Sequence, residues 1–184
     1  MTMLDTTHLV TAEELEKFPD DDYRYELVEG RVIRMSPVGV VHGRSVMRLG
    51  ARLIGHVDAR RLGIVVTEVG FRLSSSPDTV RAPDVAFIRR ERLPEGALPR
   101  GFWKGPPDLA VEVLSPDDRP SDIHAKVAEY LERGVPLVLI IDPDECIVTV
   151  HRRSALPITL GTADLLDLDD VVPGFRCSVR DIFE

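Results

Sequence analysis

The chain has 184 residues, 43% of them hydrophobic, and its 31 acidic against 23 basic residues give a formal charge of −8. This predicts one acidic globular domain over residues 1–184 and excludes a cationic nucleic-acid coat, so that any polyanion must be met locally. Cys146 and Cys177, with no CxxC spacing, argue against a disulfide framework or zinc ribbon. No apolar run approaches the ~20 residues of a membrane helix, and the first ten residues lack a basic and an apolar leader region. A cytoplasmic protein with no membrane partner is therefore expected.

Thr11-Ala12-Glu13-Glu14 reads as a capping box opening a short helix over Ala12 to Phe18, which Pro19 and three aspartates end. Two strands, Tyr25 to Val28 and Arg31 to Met35, flank a Glu29-Gly30 turn and predict a hairpin. From Val41 to Arg60, Val46, Leu49, Leu53, Ile54 and Val57 recur at helical spacing as a core face, with Arg44, Arg48 and Arg52 four apart as an outward stripe. Strand-like runs follow at Ile64 to Leu73, Pro83 to Ile88 and Leu109 to Leu114. A second helix spans about Asp122 to Arg133, with Ile123, Val127, Tyr130 and Leu131 inward and Gly134 at its end. Leu137 to Ile141 is a continuously apolar strand. Strand, helix and strand predict a right-handed crossover with Leu109–Leu114 parallel to Leu137–Ile141. The expected fold class is α/β, a central mixed sheet flanked by helices, with an N-terminal hairpin and C-terminal strands.

The sequence holds no P-loop, no GxGxxG, no HExxH and no GxSxG, so nucleotide-dependent and acyl-transfer chemistry lose support. It does hold acidic residues inside apolar strands. Asp84 opens Pro83-Asp84-Val85-Ala86-Phe87-Ile88, and Glu112 sits in Leu109-Ala110-Val111-Glu112-Val113-Leu114. An unpaired buried carboxylate costs several kcal/mol or takes up a proton. A hard divalent cation on oxygen ligands would neutralise two of them together, while pairing with arginine would serve each singly. Helical phase puts Lys126 at the margin of the buried face, within reach of the sheet carrying Glu112. There a lysine can orient a water and stabilise charge on a phosphoryl oxygen, or form a structural ion pair. The arginine stripe suits a nucleic-acid backbone or a solvated helix face.

Glu26-Leu27-Val28-Glu29-Gly30, His42, Pro83-Asp84-Val85, Asp108 through Pro116, Asp122, Lys126, Tyr130, Gly134-Val135 and Ile141-Asp142-Pro143 together resemble the Uma2 family, formerly a domain of unknown function. That family belongs to the PD-(D/E)XK restriction-endonuclease-like superfamily. The resemblance implies that Asp84 and Glu112 are the metal-binding acids and Glu26 an additional acidic residue of the site. One departure stands out: Leu114 occupies the position of the superfamily's lysine, and the resemblance moves that role to Lys126. His42 matches a family histidine before the first core helix, suited to an approach to the metal or a phosphate, or to a helix-start hydrogen bond. The expected function is Mg²⁺-dependent hydrolysis of DNA by a homodimer, with Mn²⁺ as a substitute cation and the Val113 carbonyl as a third ligand. The alternatives are a non-catalytic nucleic-acid-binding or mobile-element-associated module, and a phosphoesterase acting on another substrate.

Overall fold

The N-terminal capping box closes as the sequence predicts. Glu14 N–H donates to Thr11 Oγ1 at 3.2 Å, and Thr11 N–H donates to Glu14 Oε2 at 2.8 Å. The computed structural model in which these contacts are seen describes residues 2–4, 8–19 and 21–184; Asp20, one of the aspartates expected to end the first helix, lies outside them. After strand β1 (Thr2–Met3), helix α1 covers only Ala12–Leu15. It stops short of Phe18 because the next turn tightens to hydrogen bonds three residues back, ahead of a proline that disfavours helical backbone at the residue before it.

Strands β2 (Arg24–Val28) and β3 (Arg31–Met35) form the hairpin, and Glu29 and Gly30 turn it with φ of 49° and 76°. Two successive positive φ values match the right-handed twist of the strands. Helix α2 (Val40–Arg60) buries Leu49, Leu53 and Val57 completely. Ile54, expected in that core face, is 43% exposed, because it lies one residue and about 100° round from Leu53.

The single strand expected over Ile64 to Leu73 is two, β4 (Gly63–Val66) and β5 (Phe71–Ser74). Glu68 has φ 56°, and a Cβ at Gly70 would lie 2.3 Å from Phe102 Cδ1. The chain bends there and passes from one sheet to another. It continues through β6 (Thr79–Arg81), β7 (Val85–Arg89), β8 (Trp103–Lys104), β9 (Leu109–Val113), α3 (Pro120–Glu132), β10 (Leu137–Asp142), β11 (Ile147–Arg152), β12 (Ile158–Leu160), β13 (Leu165–Asp167), β14 (Arg176–Ser178) and α4 (Arg180–Phe183). Helix α3 starts at Pro120, earlier than Asp122, since proline suits a first helical position whose N–H has no partner.

The architecture is mixed α/β with two six-stranded sheets, ordered β1-β3-β2-β6-β5-β8 and β12-β11-β10-β9-β7-β4. The hairpin is thus part of a full second sheet. The crossover expectation holds: β9 and β10 are parallel, with Leu109 opposite Leu137 and Val113 opposite Ile141. Helix α2 and the C-terminal residues Leu166, Leu168 and Phe175 cover one face of the sheet that holds β7, β9 and β10, packing on Val85, Phe87, Leu109, Val111 and Val113. Helix α3 covers the other face over Ala110, Val138 and Ile140 through Val127 and Tyr130. Among the described residues, no helix is long and apolar enough to cross a membrane.

Candidate active site

Alternation along β9 decides where Glu112 points. Leu109, Val111 and Val113 enter the core under α2, so Ala110 and Glu112 face α3. The antiparallel register of β7 with β9 pairs Val85 with Val111. Asp84, the residue before β7, stands at the same end of the sheet, where its Oδ2 accepts from the N–H of Val113, the residue after Glu112. Two carboxylates, 5% and 8% exposed, are thereby brought to one end of the sheet.

Helix α3 supplies the counter-charge. Lys126 Nζ lies 2.8 Å from Glu112 Oε1 and 3.0 Å from Glu26 Oε1. One turn on, Tyr130 Oη donates to Glu112 Oε1 at 2.7 Å. Both bonds go to Oε1, which leaves Oε2 for a ligand. Lys126 sits at the margin of the buried face, as helical phase predicts, its side chain 11% exposed.

Glu26, on β2, is fully buried. Besides Lys126 it accepts hydrogen bonds from Arg81 Nη1 at 2.8 Å and from Ala82 N–H at 2.9 Å, and Arg81 Nε also donates to Glu129 at 2.6 Å. Burial pushes the Glu26 carboxyl up, but Lys126 and Arg81 outweigh it and hold it at about 2. Glu112 goes the other way. Burial, reinforced by the charges of Asp84 and Glu26 and opposed by Lys126, pushes it up to about 7.

Asp84 is held by three neighbours: Val113 N–H donates to Oδ2 at 2.7 Å, His42 Nε2 lies 3.2 Å from Oδ2, and Arg24 Nη1 lies 3.4 Å from Oδ1. Burial opposes its ionisation, but His42, the Val113 amide and Lys126 keep its carboxyl below the ordinary range. His42 is itself buried, its Nδ1 without a partner, so its ring positions Asp84 from the first turn of α2.

Arg24, His42, Asp84, Glu112 and Lys126 line one cleft of about 130 Å³ that also meets Val113, Asp117, Asp118 and Asp122. Its rim carries five acids against Arg24 and Lys126. Such a cleft repels a bare phosphodiester and attracts a cation.

The structure thus brings Glu26, His42, Asp84, Glu112, Val113 and Lys126 together. The arginine stripe is elsewhere and is not free. Arg44 donates to the carbonyls of Phe183 and Glu184, Arg52 donates to Arg48 O and sits 3.7 Å from Asp181, and Arg48 is half-buried. The C-terminal segment with α4 thus contacts the face that periodicity left outward. Arg24, Arg81 and Tyr130 were missed as site residues. Their signals were present: Arg24 shares a strand face with Glu26, Arg81 is a charged residue in an apolar run, and Tyr130 is one helical turn from Lys126.

The family model Uma2, described as "Putative restriction endonuclease", matches residues 12–180. The chain belongs to the Uma2 family. Among solved structures, the crystal structure of a "putative nuclease belonging to DUF820" from Anabaena variabilis superposes with a TM-score of 0.82, covering 95% of this chain and 97% of that one at 22% identity. That identity speaks for the fold. No curated protein matches the chain. Membership of Uma2, on this fold, supports a nuclease-like function.

Proposed function

We propose that this Uma2 protein is a Mg²⁺-dependent endodeoxyribonuclease that hydrolyses DNA phosphodiester bonds over Asp84 and Glu112. The observation that carries the reading is the meeting of these two carboxylates in one acidic cleft, with the Lys126 ammonium on Glu112. The donor set fits the cation. Among the described residues no group of three or more His, Cys, Asp or Glu side chains is arranged to hold a metal ion. Magnesium characteristically takes only one or two carboxylates and keeps several waters. Asp84 and Glu112 would hold it, with the Val113 carbonyl as a third oxygen and Mn²⁺ as a substitute. When bound, such a cation polarises a phosphoryl oxygen and offsets the negative charge that builds up in the transition state.

The chain's own groups do the rest. Lys126 has three N–H donors, and two are directed to Glu26 and Glu112. The third serves the attacking water or a phosphoryl oxygen. Glu26, ionised and held by Arg81, fixes the ammonium from behind, and Tyr130 steadies the Glu112 carboxylate. His42 and the Val113 amide orient Asp84. Val40, Met47 and Ile54 are exposed at seven-residue spacing along α2, which supports a homodimer whose two clefts address the two strands of a duplex.

Nicking of supercoiled plasmid in Mg²⁺ or Mn²⁺, abolished by EDTA and by Asp84→Ala with the fold intact, is the expected result. DNA retention without nicking would favour the second reading, a non-catalytic nucleic-acid-binding module. That reading draws on the double ion pair of Lys126, which stabilises the fold with or without turnover.

A further inference from the structure

Beyond the Ser115–Arg119 turn from the cleft lies a second concavity of about 310 Å³. It shares Ser115, Asp118 and Ile123 with the catalytic cleft, so the two are continuous around one turn. Its origin is topological. Val148 and Val150 of β11 enter the core under α2, which turns Thr149 and His151 to the opposite face. Helix α3 covers β9 and β10 on that face, and the outer strands extend past it. Ile123 and His124 of α3 form one wall, Thr149, His151 and Pro157 the other.

The lining chemistry selects an occupant. It contains no lysine or arginine, and Asp118 adds a negative charge held by the Ser115 N–H at 2.9 Å. A phosphate is therefore disfavoured. The apolar surfaces of Leu114, Ile123 and Ile140 lie beside two imidazoles, and burial together with His124 holds His151 below the ordinary histidine range. Neutral imidazole offers a flat aromatic face, and imidazoles are among the groups on which unpaired bases stack. The Thr149 hydroxyl, 3.3 Å from Thr159 Oγ1, supplies a polar edge. The volume lies at the lower end of the roughly 300–1,000 Å³ of small-ligand sites.

We propose that this groove is a nucleobase subsite that takes one unpaired base next to the phosphodiester held in the cleft, between His124 and His151. The inference rests on the nuclease reading and deepens it, since its substrate is single-stranded or locally splayed DNA.

The test measures binding of short single-stranded oligonucleotides to the full chain by fluorescence anisotropy in Ca²⁺, with an abasic site stepped along the strand, beside plasmid nicking in Mg²⁺. One abasic position should weaken binding to the wild type about tenfold, the scale of losing a stacked base. His124→Ala with His151→Ala should abolish that positional sensitivity, and His151→Phe, which keeps a flat ring, should retain it. His124 is exposed and His151 half-buried, so the variants should fold, as a melting curve checks. Nicking with no sensitive position, or the same sensitivity in the double alanine variant, overturns the subsite and leaves the nuclease reading standing. Neither nicking nor binding overturns both.

Discussion

Lys126 on α3 and Glu112 on β9 stand 2.8 Å apart, and the same ammonium reaches Glu26 on β2 at 3.0 Å. One cation thus joins a helix to strands of both sheets. Leu114, two residues beyond Glu112, is half-buried against the apolar cluster beneath α3. A lysine approaching from α3 reaches Glu112 without occupying that strand position.

The dual contact separates Lys126→Met from Lys126→Arg. Methionine leaves Glu112 without its counter-charge, and breaking a buried pair costs about 3–5 kcal/mol, so the melting temperature should fall. Arginine should restore most of the stability. The nicking rate per folded molecule should stay down ~100-fold or more in both, because a broad guanidinium does not place its charge where the compact ammonium did. Arginine restoring rate along with stability would assign Lys126 a structural role.

Metal affinity should follow the Glu112 proton. With that carboxyl pushed up to about 7, protons compete with the cation below neutrality. Affinity for Mn²⁺ should fall about tenfold per pH unit there and level off above. Tyr130→Phe removes a hydrogen bond donated to the ionised carboxylate and should move the profile to higher pH. For stability the signs divide. Between the unperturbed 4.5 and about 7, folded Glu112 keeps a proton that the unfolded chain has lost, so its contribution falls as pH rises. Glu26, held at about 2, stabilises above 4.5 and loses that contribution as pH falls. Calorimetric titrations at pH 5.5, 6.5 and 8 that agree with one another would reject the Glu112 assignment.

Arg81→Leu should be among the most destabilising single changes in the chain. Its guanidinium joins Glu26 on β2 to Glu129 on α3, and its side chain is 7% exposed. Removal leaves Glu26 with the Lys126 ammonium and the Ala82 N–H but without the guanidinium, at a cost of about 3–5 kcal/mol. Glu26→Gln combined with Arg81→Leu should recover part of it, which urea melts of the four members of the cycle would show; strict additivity would contradict the pairing.

The alternation of β9 made a buried carboxylate at Glu112 legible from the sequence, and the phase of α3 put Lys126 within its reach. The crossover fixed which face they share. What stayed hidden depends on segments far apart in the chain. Glu26 meets Arg81 because β2 and β6 are antiparallel neighbours within one sheet, with Leu27 opposite Val80, and no local pattern reports that pairing. The break at Gly70 depends on Phe102, thirty-odd residues on. The arginine stripe looked solvated because periodicity sees only its own helix, whereas α4 arrives from the end of the chain.

That last contact gives the remaining prediction. Arg44 binds the carbonyls of Phe183 and Glu184, Arg52 lies 3.7 Å from Asp181, and Ile182 between them is fully buried. The arginines therefore pin α4 to α2. Arg44→Glu should loosen the C-terminal segment and raise amide exchange around Ile182. Because Arg44 is exposed, the loss should not exceed ~1 kcal/mol, or about 2–4 °C in melting temperature for a chain of this length. DNA affinity should keep its dependence on salt. If Arg44 instead neutralised a phosphate, the slope of log affinity against log salt would drop by roughly 0.7–0.9, with amide exchange at the C-terminus unchanged. A flattened slope with an undisturbed C-terminus would return the stripe to the nucleic-acid surface; a steep slope with a loosened C-terminus keeps it in the fold.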